Sequence, residues 1–92
     1  MNTIIKESQE AKKYFLQKLK GKNFMTPDVL GYYRIGNYLF ELSEGRGFTN
    51  NEIFGVTVII AGENKHSPDL GAMFYSKEEA FNHMKEVANG DA

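Results

Sequence analysis

Gly36-Asn37 separates two alternating runs, Tyr32 to Ile35 and Tyr38 to Leu42. Such a pair suits a two-residue hairpin, with glycine taking the positive φ that a type II′ turn requires. The turn sets the register. Ile35 then faces Tyr38, and Tyr33 faces Phe40. These four share one side of the ribbon with Leu42, while Tyr32, Arg34, Leu39 and Glu41 take the other. Leu39 and Tyr32 together on that second side imply either a second covered face or an interface. With a hairpin fixed here, the rest of the chain has to cover an antiparallel sheet.

The following segments fit that requirement. Ile53 to Ala61 is apolar on nearly both faces, as a central strand should be. A shorter run, Leu70 to Tyr75, supplies a fourth strand. Ser76-Lys77-Glu78-Glu79 has the pattern of a capping box, and Ala80, Phe81, Met84, Val87 and Ala88 form a helical stripe ended by Asn89-Gly90. Upstream, Ile4, Ser8, Ala11, Phe15 and Leu19, flanked by Ile5 and Leu16, predict an amphipathic helix over 3–20, capped by Thr3 and closed at Gly21. The segment 23–31 reads as a connector. The expectation is one α+β domain over residues 1–92: helix, four-stranded antiparallel meander, helix, in two layers.

Several function classes are poorly served. There are no cysteines, so disulfides, thiolate catalysis and cysteine zinc sites are excluded, and a reducing cytoplasmic setting is expected. No apolar run approaches the length of a membrane span, and the amino terminus has no apolar signal core. His66 with Asp69 lacks an activated nucleophile, and His83 flanks an apolar helix stripe. Glu63, His66 and Asp69 lack the second histidine that makes a metal pattern specific. Gly45-Arg46-Gly47 opens no helix and makes no phosphate cradle. Neither catalytic nor metal-ligating residues, nor a cofactor, are therefore expected.

Charge is more informative. The net charge is −1, yet residues 1–22 hold six lysines and two glutamates, while the remainder holds five basic and ten acidic residues. In a helix beginning at residue 3, Lys6, Lys13 and Lys20 would form a basic ridge. The polar loop 43–51 would present Arg46 and Phe48 to solvent, residue types that dominate interface energetics. Tyr32 and Arg34 complete the candidate contact surfaces. A protein-binding domain, monomeric or homodimeric through an exposed edge strand, is the expected function.

Two resemblances frame that expectation. Val56 to Ala61, the glycine-bearing loop and Ser76-Lys77-Glu78-Glu79-Ala80 resemble the closing strand, loop and helix of the double-stranded RNA-binding domain. That resemblance implies a nucleic-acid partner held by lysines opening the last helix. Here Lys77 is followed by Glu78 and Glu79, which repel phosphate. In size and layout the chain also resembles small accessory proteins of phages and mobile elements, anti-CRISPR proteins among them. That likeness rests on overall form. It implies inhibition by steric occupation of a larger assembly such as a nuclease complex.

Overall fold

A computed structural model describes residues 6–18, 28–61 and 70–90. Its elements run β1 (Lys6–Glu7), α1 (Gln9–Lys18), β2 (Asp28–Ile35), β3 (Tyr38–Arg46), β4 (Glu52–Ile60), β5 (Ala72–Phe74) and α2 (Lys77–Asn89). The strands form one antiparallel meander in chain order. The α+β class, with a four-stranded meander between two helices, is the expected one. The two-residue β1 adds an outer partner for Tyr33 and Arg34 of β2.

The β2–β3 hairpin has the expected register, with Ile35 opposite Tyr38 and Tyr33 opposite Phe40. Gly36 has φ +60°, while Asn37 is not among the positive-φ residues, so a II′ rather than a I′ turn closes the ribbon. A register shift between Val29 and Gly31 marks a bulge at the other end of β2.

Alternation along the strands sorts the core into two clusters on opposite sheet faces. On one face, Phe40, Leu42, Phe54, Val56 and Val58 pack against Ala80, Met84 and Val87 of α2. On the other, Leu39 and Ile59 pack against Ala11 and Phe15 of α1, with Tyr14 and Tyr32 beside them. The side carrying Leu39, which is 0% exposed, is thus a second covered face. Over part of its area the sheet is flanked on both sides, one layer more than the two expected.

The first helix starts later than its periodicity predicts. Lys6–Glu7 is extended and pairs with β2. Ser8 donates its backbone N–H to the Tyr32 carbonyl at 2.9 Å, and its Oγ accepts from the Ala11 N–H at 3.1 Å. Ser8 therefore works as the cap expected at Thr3, because Lys6 and Glu7 pair with β2 on the sheet edge instead. Thr3, Ile4, Ile5, Leu19 and Gly21 lie outside the described residues. Leu16, expected in the buried stripe, is 61% exposed.

α2 follows its sequence signals closely. The Ser76 side chain accepts from the Glu79 N–H at 3.1 Å. Gly90 adopts φ 79° in the left-handed region and donates its N–H to the carbonyls of Glu86 and Val87.

Candidate functional site

The β3–β4 connection is the most exposed apolar feature of the described chain. Arg46 and Glu52 pair at the strand ends, leaving 47–51 as the loop. Asn50 donates its N–H to the Gly47 carbonyl at 3.0 Å, which places Phe48 and Thr49 at the centre of a β-turn. Gly47 donates its N–H back to the Asn51 carbonyl at 2.9 Å. Asn50 takes φ 59°, a left-handed position that asparagine tolerates well. Thr49 Oγ1 donates to Asn51 Oδ1 at 2.6 Å, and an Arg46 guanidinium nitrogen donates to the Asn50 carbonyl at 3.4 Å.

The tip is thus internally hydrogen-bonded, and its one large side chain lies in solvent. Phe48 has 103% of reference exposure. The bonded turn leaves the backbone of the tip little ordering entropy to lose.

Beside it runs a groove of about 300 Å³ lined by Phe48, Ile53, Met73, Phe74 and Tyr75 with loop polar groups. Met73 is 51% and Tyr75 75% exposed. Met73 lies opposite Gly55 on β4, so no side chain from that partner position covers it. The sequence expectation of an Arg46/Phe48 loop presented to solvent agrees with these positions. Its continuation into Met73 and Tyr75 was not foreseen. The available signal was their i, i+2 spacing in a short strand without charges.

The other candidates lie elsewhere. Tyr32 and Arg34 are not on an open side. The Tyr32 ring sits 5.7 Å from that of Phe15, and Arg34 forms an ion pair with Glu10 of α1 and donates through Nε to the Gly36 carbonyl at 2.8 Å. Both residues tie α1 and the turn to the sheet. The lysine ridge needs a continuous helix from residue 3. Lys6 instead belongs to β1, Lys13 is exposed on α1, and Lys20 lies outside the described residues. His66, Glu63 and Asp69 also lie outside them. His83 Nε2 is 2.6 Å from the Leu70 carbonyl, which can only accept, so the proton is on Nε2. With its ring 5.0 Å from Phe74, His83 holds β5 against α2.

Shifted titrating groups occur on both sheet faces, Tyr32 and Glu41 on the α1 side and Tyr33 on the α2 side. Burial raises the Glu41 carboxyl above its ordinary range, partly offset by a hydrogen bond from the Tyr32 hydroxyl. Burial likewise raises Tyr32, with the charge of Glu41 adding to it. Burial and then Glu7 raise Tyr33. Burial on the sheet is the largest cause of each shift. Among the described residues no group of three potential metal ligands converges, and no helix is long and apolar enough to cross a membrane.

Comparison with protein-family models, curated proteins and solved structures gives no match. The geometry of the site is therefore the basis for assigning a function.

Proposed function

We propose that this chain is a small, non-enzymatic protein-binding domain that acts by occupying a partner's surface through the Phe48 tip. The observation that carries the reading is the full exposure of Phe48 on a turn closed by its own hydrogen bonds. Burying one phenylalanine side chain is worth roughly 1.5–3 kcal/mol, which a monomer forgoes by holding the ring in water. Arg46, exposed at the base of the same loop, adds a residue type common at energetic centres of interfaces. Likeness in size and layout to anti-CRISPR proteins makes a large nuclease assembly the first partner to test.

Nucleic acid is the less favoured ligand. α2 opens with Glu78 and Glu79 in its first turn, both exposed, where phosphate binding would need cations.

The test is affinity capture from lysate of the cells that carry the gene, comparing the wild-type chain with Arg46→Ala/Phe48→Ala. Specific recovery of a protein assembly by the wild type only is expected. Charge reversal at Lys6, Lys13 and Lys20 should leave that recovery unchanged. Recovery of nucleic acid alone, released by moderate salt, would overturn the reading.

A further inference from the structure

The groove beside Phe48 opens at the molecule's acidic end. Antiparallel pairing sets Asp28 beside Glu44 and Arg46 beside Glu52, and these four residues, with Gly45, line one cleft. Because Phe54 pairs with Phe74, β5 runs back toward the Phe48 tip and delivers Tyr75 and the start of α2 to that same end. Exposed Lys77, Glu78 and Glu79 follow directly. Five carboxylates thus share this end with two cations, a local excess of three negative charges.

Among the described residues β5 is the terminal strand of the sheet, and its Ala72, Met73 and Phe74 include neither the charge nor the proline that usually defends an edge. The groove is large enough for one apolar side chain and lies on the sheet face of Ile53 and Met73, while alternation sets Glu52 on the opposite face with Phe54, where α2 begins. A second copy of this chain would bring two acidic ends together about a two-fold axis, so electrostatics disfavour self-association here.

We propose that the β5 edge and its groove receive an extended, basic segment of a partner protein. An apolar side chain of that segment enters between Phe48, Met73 and Tyr75, and its lysines or arginines meet Glu52, Glu78 and Glu79. This is the strand-addition mode of peptide recognition, in which alternate side chains of the segment face the groove on one side, giving side-chain selectivity, and the carboxylates on the other, giving charge selectivity. The assignment rests on the protein-binding reading above and supplies the chemistry of the partner.

A library of random nine-residue peptides, panned against the intact chain, tests it. Enriched peptides should combine Lys or Arg with a large apolar residue at alternating positions, and should perturb the amide signals of Met73 and Tyr75. Their affinity should fall about tenfold or more in Glu52→Lys/Glu78→Lys, fall with added salt, and vanish in Met73→Glu. All these positions are surface-exposed, and circular dichroism of each variant confirms that its fold is kept.

Acidic or uncharged peptides that still need Phe48 would overturn the basic-segment assignment while leaving protein binding at the tip standing. Enrichment that is indifferent to both Phe48→Ser and Met73→Glu, or no enrichment, would overturn the edge site itself. In that case capture by the wild-type chain in the preceding experiment decides separately whether proteins are bound. A molecular mass that doubles with concentration and reverts in Met73→Glu would assign the groove to a second copy instead.

Discussion

Glu41 shows how a single residue records the covering of the second sheet face. It sits opposite Tyr32 on β2 and Thr57 on β4, on the side where α1 packs. Burial there lifts its carboxyl pKa, and the Tyr32 hydrogen bond recovers only part of the shift. A carboxyl whose folded value lies above its unfolded one holds its proton more tightly in the native state. The associated stability is complete below about pH 4.3, the ordinary glutamate value. It is lost as pH rises through the raised folded value. Glu41→Gln keeps an acceptor for the Tyr32 hydroxyl and removes the charge. Urea midpoints measured against pH should therefore fall less steeply for Glu41→Gln than for wild type across that window, leaving the variant at least as stable at neutral pH. A parallel pair of curves would show that Glu41 is as well solvated folded as unfolded.

At the scale of elements, legibility followed locality. The Gly36 turn, the hairpin register and the Ser76 cap are decided by a few neighbouring residues, and each was readable from them. The start of α1 was not. Nothing in the periodicity of Ile4, Ser8 and Ala11 reveals that Lys6–Glu7 has a better use pairing with Arg34 and Tyr33, which lie 28 and 26 residues downstream of their partners. The same limit hid the covering of Leu39. Alternation says that Leu39 and Phe40 face opposite ways, not which of the two faces a helix will take. The revised helix start has its own test. Ser8→Ala removes the acceptor for the Ala11 N–H and should cost about 1 kcal/mol in chemical denaturation, while Thr3→Ala should change nothing measurable. Equal losses, or a loss at Thr3 only, would restore the longer helix.

For the whole molecule, the two helices and the sheet between them account for the core, and the Phe48 end stands outside that account. Leu39 and Met84 lie on opposite faces, both at 0% exposure, and the same strands connect their two clusters. Truncating either should weaken one shared cooperative unit, since β3 contributes Leu39 to one cluster and Phe40 and Leu42 to the other. Leu39→Ala and Met84→Ala are each expected to lower unfolding free energy by roughly 2–5 kcal/mol, with a single transition retained. Phe48→Ser, at a side chain that packs on nothing, should stay within about 0.5 kcal/mol of wild type. That contrast separates residues on which folding depends from one on which it does not. If Phe48→Ser proved as costly as Leu39→Ala, the ring would have to be packed in solution, and the case for an interface at the tip would collapse. If Leu39→Ala were harmless, α1 would not be docked on that face, and the second side of the hairpin would again be open to a partner.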